Sequence, residues 1–315
     1  MFEIRRYTPD KAEEWNRFVA TSKNATFLLD RRYMDYHSDR FHDHSLMVYR
    51  RGKLYALLPA NEADHVFCSH QGLTYGGLLM NEKATAAEVV TIFRLLNEQL
   101  AQEGFCKVLY KPTPWIYHRQ PAEEDLYAIV EVCGARLTAR SLSSAIGSHC
   151  RNPWYRIREC GARHAQQAGI SIEKTSDFAP FWQILSDNLQ ERYELKPVHT
   201  LEEMQLLHSR FPENIVLMVA KDGGQTLGGT VLYVTDTLVH SQYIAASRQG
   251  KQAHVLDLLF QHVVGQSLQQ HAWFDFGIST EEHGSYLNEQ LIYQKEGFGG
   301  RGVCYDWYEW DLPSK

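Results

Sequence analysis

The sequence predicts a mixed α/β (α+β) protein made of two similar halves, each a mixed, mostly antiparallel sheet flanked by helices. Three observations lead to this prediction. The same order of helix and strand patterns occurs twice, the spacing between equivalent elements is nearly constant, and a turn-rich segment at residues 147–153 lies near the midpoint. We therefore expect one domain over residues 1–149 and a second over residues 150–315.

Each half opens with a helical pattern and continues with a hairpin. Asp10 and Glu13 have the spacing of a capping box and precede apolar residues at helical intervals. Asp177 precedes an equivalent apolar face in the second half. The following strands share the tripeptide Leu-Met-Val, at 46–48 and at 217–219, and each runs through a glycine-containing turn into a second strand. Tight turns of this kind make the joined strands antiparallel.

A longer helix and an apolar strand then follow in both halves. Thr85 and Glu88 form another capping-box pattern, and the helix after them has an apolar face of Val89, Ile92, Phe93, Leu96 and Leu100. The equivalent helix in the second half carries Val255, Leu258, Leu259, Val263 and Leu268. The offset is 217 − 46 = 171 residues for the first strands and 255 − 89 = 166 for these helices. A strand–helix–strand passage of this kind allows a parallel crossover.

Composition and charge exclude several classes of protein. With 315 residues, 44% hydrophobic and 22% charged, the chain has a globular composition and is not a disordered tail. Its formal net charge of −6 argues against non-specific electrostatic binding to nucleic acid or anionic lipid. The six cysteines include no close pair, so we expect reduced thiols. No secretory signal or membrane-spanning run is visible, and we expect a cytoplasmic location.

The segment from Ser241 to Ala253 is the most informative for chemistry. A strand that ends in small residues leads through a polar turn with Gly250 into the helix that starts near Val255. A helix amino end suits a pyrophosphate, and Arg248 and Lys251 would add positive charge. An ordinary β–α turn with exposed basic residues explains the same pattern.

Three further patterns have both a functional and a structural interpretation. His37, His42 and His44 could ligate a metal, but they do not share one helical face, so we expect no metal. The glycine-rich loop at residues 70–77 either contributes to acceptor binding or is a turn. The arginines after the midpoint, with two more nearby, either contact phosphates or form a solvated helix face. Those after it are Arg156, Arg158 and Arg163, and those nearby are Arg140 and Arg151.

The segment that closes the second half has the pattern Tyr-x-Lys-x-Gly-Phe at Tyr293, Lys295, Gly297 and Phe298, and an apolar strand at 273–277 contains Asp-Phe-Gly. The first pattern resembles the final signature of the GNAT acyltransferase superfamily, and the strand resembles the Asp-Phe-Gly strand of the Fem group. With the doubled layout, the chain is similar to tandem-GNAT proteins of the Fem type. The resemblance implies two GNAT-like domains: the first on the acceptor side with a degenerate donor site, the second binding the donor and catalysing the reaction.

The resemblance also implies an activity and a set of residues. The activity is N-acyl transfer, with acetyl-CoA or another acyl-CoA as donor and an amine as acceptor. Backbone N–H groups in a splayed strand at Val231–Val234 would meet the oxyanion, and Tyr293 would protonate the leaving group. The implied donor-binding residues are Val231, Tyr233, Ala245, Arg248, Gly250, Lys251 and Gln252. The implied substrate residues are Tyr75, Gly76, Tyr243 and Asp275.

Three points stay open on the sequence. The general base is one of Tyr233, His240, Tyr243 and Asp275. In the donor turn, Ser247 and Gln252 occupy places where the superfamily usually has Arg or Gln and a small residue. The acceptor is a small-molecule amine or a cell-wall or sugar precursor, approaching between the two halves. The alternatives are Fem-like aminoacyl transfer from tRNA onto a cell-wall precursor, and a non-catalytic binding protein with this fold.

Overall fold

The computed structural model describes residues 1–313, and it describes residues 192 and 193 by their backbone alone. The chain divides into two compact units. Unit 1 comprises residues 1–141, residues 282–285 and the chain from residue 304 onward, and unit 2 comprises residues 142–281 and 286–303. The division falls shortly before the expected boundary at residues 149 and 150. The acceptor and donor roles of the two halves stay predictions.

Unit 1 contains two sheets. Its elements, in chain order, are β1 (Phe2–Arg6), α1 (Ala12–Thr21), α2 (Arg31–Met34), β2 (His42–Asp43), β3 (Leu46–Arg50), β4 (Lys53–Leu58), β5 (Asn61–Ala63), β6 (Val66–Cys68), β7 (Leu79–Met80), α3 (Ala86–Glu103), β8 (Lys107–Tyr110), α4 (Glu124–Cys133), the first part of β9 (Arg136–Gly147) and the last part of the final strand, β17 (Arg301–Asp311). The first sheet has the order β1-β3-β4-β7. In the second sheet, β8 pairs in parallel with β6, and β5 and β2 follow outward from β6.

Unit 2 contains one large sheet. Its elements are the second part of β9, α5 (Arg156–Gln167), β10 (Ser171–Thr175), α6 (Ala179–Tyr193), α7 (Leu201–Arg210), β11 (Ile215–Asp222), β12 (Gln225–Val234), β13 (Leu238–Ala246), α8 (Arg248–Gln252), α9 (Val255–Gln270), β14 (Trp273–Ile278), β15 (Thr280–Glu281), β16 (Tyr286–Leu287), α10 (Glu289–Gly297) and the start of β17 (Arg301–Asp311). The sheet order is β10-β11-β12-β13-β14-β9, and every pair is antiparallel except β13 with β14.

The predicted α/β class and the repeated order of elements are confirmed. The predicted apolar face of α3 is buried throughout, and so are Val255, Leu259, Val263 and Leu268 on α9. In both units a hairpin precedes a parallel pair whose strands are joined through a long helix: β6 with β8 through α3, and β13 with β14 through α9. Helices that bury a periodic apolar stripe against a sheet stabilise both copies of the unit.

Two expected helix starts are wrong in detail. Helix α1 begins at Ala12 after Lys11, and Asp10 lies in a short 3-10 turn over Pro9–Lys11 and makes no capping bond. Thr85 does precede α3, but its hydroxyl donates to the carboxylate of Glu88 at 3.1 Å instead of capping the backbone. The spacing of a capping box therefore located both helices but predicted neither cap. Among residues 1–313, no helix combines the length and apolarity that crossing a bilayer requires.

The two copies differ after the hairpin. In unit 2, β12 continues directly into pairing with β13, so one sheet forms. In unit 1, β4 pairs instead with the short strand β7, and the sheet is interrupted at that point. Only unit 2 therefore keeps a continuous sheet up to its parallel pair.

Candidate functional site

The site begins where two parallel strands of unit 2 separate. Strands β13 and β14 pair over three positions, and the last pair is His240 with Asp275. Beyond it β13 runs on to Ala246 and β14 to Ile278 without further pairing between them. A bulge accompanies the separation, because Val231 lies opposite Tyr243 but Leu232 lies opposite Ser241, which leaves Gln242 as the extra residue.

The strand that separates from its neighbour is therefore β13, whereas the expected residues Val231–Val234 belong to β12. Strand β12 has partners on both edges in this segment, β11 on one side and β13 on the other. Ladder pairing on both edges uses the backbone N–H groups that an oxyanion would need. Val231 and Tyr233 are also buried, at 0% and 2% exposure. The donor-binding role of Val231 and Tyr233 stays a prediction, and neither the strand pairing nor the burial supports it.

A buried carboxylate organises the point of separation. Asp275 has no exposed surface and accepts hydrogen bonds from the hydroxyl of Ser143 on β9 and from the backbone N–H of Gly277. Its Oδ2 lies 2.7 Å from Nδ1 of His240. A carboxylate that accepts from Nδ1–H leaves Nε2 of a neutral imidazole as the basic nitrogen. Two of the four candidate bases, His240 and Asp275, thus form one hydrogen-bonded pair, and which residue is the general base stays a prediction.

The end of β14 is held by a buried lysine on α10. Lys295 is 5% exposed, and its Nζ donates to the carbonyl oxygens of Gly277 at 2.8 Å and Ile278 at 2.6 Å. Burial lowers the pKa of Lys295 to about 8, and the carboxylate of Asp275 opposes this effect. Gly277 has a φ of +77°, and a Cβ there would lie 3.2 Å from Cε1 of His240. The glycine therefore allows β14 to turn away directly beside the imidazole.

Tyr293 lies on a different face of α10. It is 56% exposed, and its ring packs against Tyr155 with centroids 5.3 Å apart. Residues two apart on a helix point in nearly opposite directions, so Tyr293 faces away from the side on which Lys295 reaches β14. Its role as the acid for the leaving group stays a prediction.

The expected donor turn is a short helix with internal hydrogen bonds. Ser247 caps α8, and its hydroxyl accepts the N–H of Gly250 at 3.0 Å. Lys251 donates to the side chain of Asn188 at 2.9 Å, while Arg248 and Gln252 are exposed. These bonds occupy one backbone donor and one cation that the sequence assigns to a pyrophosphate.

Two residues on β13 that are predicted to bind donor or substrate make contacts within the protein. Ala245 is buried and pairs with Gly229. Tyr243, beside the bulge, lies with its hydroxyl 2.6 Å from Nδ1 of the buried His199, and its ring packs against Trp182. His199 carries no motif that could reveal this contact from sequence.

In unit 1, the glycine-rich loop at residues 70–77 packs tightly against the chain after β8. Gly76 donates its N–H to the carbonyl of Lys111 at 2.8 Å, and a Cβ on Gly76 would lie 2.4 Å from the carbonyl oxygen of Ser69. Tyr75 is 2% exposed, with its hydroxyl 2.9 Å from that of Thr26. The loop at residues 70–77 thus pairs with the chain after β8. The substrate role of Tyr75 and Gly76 stays a prediction.

The histidine cluster of unit 1 has separate partners. His37 stacks on His70 with ring centroids 5.3 Å apart, whereas His44 lies between the carboxylates of Glu62 and Glu103. Within residues 1–313, no three His, Cys, Asp or Glu side chains form a cluster suited to a metal ion.

Arg158, among the arginines after the midpoint, pairs with Asp257 at 3.1 Å.

Comparison with known proteins relates part of the chain to a family and the whole chain to a fold. A family model described as an acetyltransferase (GNAT) domain matches residues 148–285. No sequence among curated proteins matches the chain significantly.

Solved structures resemble the whole chain. FemX superposes with a TM-score of 0.67 at 10% identity, over 98% of this chain and 97% of that one. L-PGS from Bacillus licheniformis gives 0.61 at 12% identity, over 96% and 91%. A tandem GNAT protein from the clavulanic acid biosynthesis pathway gives 0.52 at 11% identity, over the full length of both chains. At these identities the likeness establishes the fold and leaves the reaction to be argued from the site.

Proposed function

We propose that the chain, which matches a GNAT domain model over residues 148–285 and resembles FemX and a tandem GNAT protein in fold, is an N-acyltransferase that moves an acyl group, acetyl in the first instance, from acyl-CoA to an amine. The observation that carries the proposal is the separation of β13 from β14 beside the His240–Asp275 pair. An opening between parallel strands gives a donor access to unpaired backbone, and a carboxylate-oriented imidazole lies at its closed end.

In the proposed reaction the amine attacks the acyl carbonyl directly. The C–N bond forms, the C–S bond breaks so that coenzyme A leaves as its thiolate, and the amine proton moves to Nε2 of His240 and from there to the thiolate. Asp275 keeps the imidazole in the required tautomer and stabilises the imidazolium that results. Backbone N–H groups of β13 beyond His240, where pairing with β14 has ended, are the candidate donors to the oxyanion.

Lys295 acts through the backbone in this scheme. Its ammonium binds the two carbonyl groups at the end of β14, so it fixes the path of that strand beside His240. It is therefore a positioning residue. A protonated lysine is retained below a pKa of about 8, which covers neutral pH.

A thermal-shift measurement tests the donor. Ligand at a hundred times its Kd stabilises the folded state by about 2.7 kcal/mol, so saturating acetyl-CoA should raise the melting temperature by a few degrees. Arg248→Ala, which removes an exposed cation from the donor turn, should reduce the shift, while the matched surface change Arg17→Ala should leave it intact. No shift at millimolar acetyl-CoA would contradict acyl-CoA as the donor.

One observation favours a second candidate donor, an aminoacyl-tRNA. The N–H of Gly250 is already bonded to Ser247, and Lys251 is bonded to Asn188, so the turn presents a reduced cradle for a pyrophosphate. A donor ester on tRNA does not need that cradle, and the acceptor would then be a cell-wall precursor amine. A thermal shift with aminoacyl-tRNA and none with acetyl-CoA would select this candidate. The absence of a thermal shift with either donor would instead indicate a non-catalytic binding protein.

A further inference from the structure

A cavity of about 590 Å3 lies in unit 2 between the sheet and the carboxyl-terminal half of α9. Its floor is apolar and comes from four neighbouring strands, with Ile172, Val216, Met218, Leu232, Val234 and Val239. Its wall is one side of α9, which includes His262, Val263, Gln266 and Gln270. We call this cavity the α9 groove.

Strand register places the α9 groove on one face of the sheet. Lys174 lies opposite Met218, Val216 opposite Leu232, and Val234 opposite Val239. Successive side chains on a strand point to opposite faces, so His240 points away from the face to which its neighbour Val239 contributes. The α9 groove is therefore separate from the proposed acyl-transfer site.

The helices of unit 2 cover only one end of this face. Near the start of α9, residues at the end of α5 complete a core with Leu227 and Val255. Towards the end of α9, Ile172, Val216, Met218 and Val234 are only partly buried. Contiguous apolar surface that stays accessible in this way is typical of a binding site, and the volume is within the usual range for small-molecule pockets.

One cation stands at the rim of the groove. Lys174 is the one Lys, Arg, Asp or Glu side chain among the described residues that line it. Lys174 is exposed beside Met218 and forms no ion pair within the described chain, and the other polar side chains of the lining carry imidazole, amide and hydroxyl groups. An apolar floor with a lysine at its rim matches a ligand with a hydrocarbon tail and an anionic head.

We propose that the α9 groove binds one medium-chain fatty acid. The hydrocarbon chain lies on the apolar floor between α9 and the sheet, and its carboxylate pairs with Lys174 at the rim. This site goes beyond the proposed acyl transfer, since it lies on the other face of the sheet from His240.

Calorimetric titration of the full chain with laurate, below its micelle concentration, tests the proposal. We expect one laurate per chain. Lys174→Glu reverses the rim charge and should weaken binding about tenfold, while Lys53→Glu, an exposed change in unit 1, should not alter it. Dodecyltrimethylammonium, which has the same tail length and the opposite charge, should bind more weakly than laurate.

Met218→Trp fills the floor and should abolish binding, with the fold checked by circular dichroism. Absence of laurate binding to the wild-type chain would overturn the proposal, and so would affinity unchanged in both groove variants. Light scattering provides a further test. A dimer that dissociates in Lys174→Glu would assign the groove to a second copy of the chain and would also overturn the proposal.

Discussion

Replacement of Lys295 by methionine should change how the stability of the protein depends on pH. Burial lowers the pKa of Lys295 from 10.5 to about 8, against the opposing effect of Asp275. In the unfolded chain, lysine titrates near its ordinary pKa of about 10.4. Between these two values the unfolded state binds one proton more than the folded state. The free energy of unfolding therefore rises with pH across this window.

The size of the effect follows from the pKa difference. The window spans 10.5 − 8 = 2.5 pH units, and each unit corresponds to about 1.36 kcal/mol, which gives about 3 kcal/mol. A neutral amine still has two N–H donors for the carbonyls of Gly277 and Ile278, so deprotonation keeps both hydrogen bonds. Lys295→Met lacks this titrating group, so its free energy of unfolding should rise with pH by about 3 kcal/mol less than that of the wild type.

Urea unfolding of both proteins at a series of pH values from 7 to 10.5 measures the difference. Lys53→Met, a change at an exposed lysine, should give a curve parallel to that of the wild type. Lys111→Met should behave like Lys295→Met, because burial also lowers the pKa of Lys111 to about 8. A constant difference between wild type and Lys295→Met over the whole range would refute the reasoning.

Three further predictions concern the network and the fold. Asp275→Asn should lower kcat by roughly 10²- to 10⁴-fold with little change in KM, because it removes the acceptor that orients His240; steady-state kinetics that show an unchanged kcat would contradict this role. Burial raises the pKa of Asp125 to about 7, so the wild-type free energy of unfolding should fall as pH rises from about 4 to 7. Asp125→Asn should lose that slope in urea titrations, and an identical slope would count against it. Gly250→Ala brings a Cβ to 2.3 Å from the carbonyl oxygen of Leu227 and should lower stability by about 1–3 kcal/mol. Calorimetry should find no such loss in Gly265→Ala, where nothing lies within 4 Å.

The repeat could be predicted from the sequence because it rests on local patterns. Apolar residues at helical spacing on α3 and α9, and glycine-containing turns between paired strands, are visible without any knowledge of tertiary contacts. The interruption of the sheet in unit 1 was not predictable in this way. The partner of β4 is β7, a two-residue strand too short to have a pattern of its own.

The site was predictable only in part. The sequence named His240 and Asp275 as separate candidates, but their pairing depends on the register between β13 and β14. Ser143 and Lys295 lie 132 and 20 positions from Asp275 along the chain, and no spacing rule joins them. The bulge at Gln242 lacks glycine or another turn signal, so no local pattern in the sequence indicates that the strands separate along β13.

A crystal structure of the protein soaked with coenzyme A is the most direct test of the central claim. The account predicts density for the pantetheine arm between β13 and β14, with the sulfur next to His240 and the phosphates beside Arg248. Density elsewhere, or strands that close against each other with the ligand excluded, would contradict it.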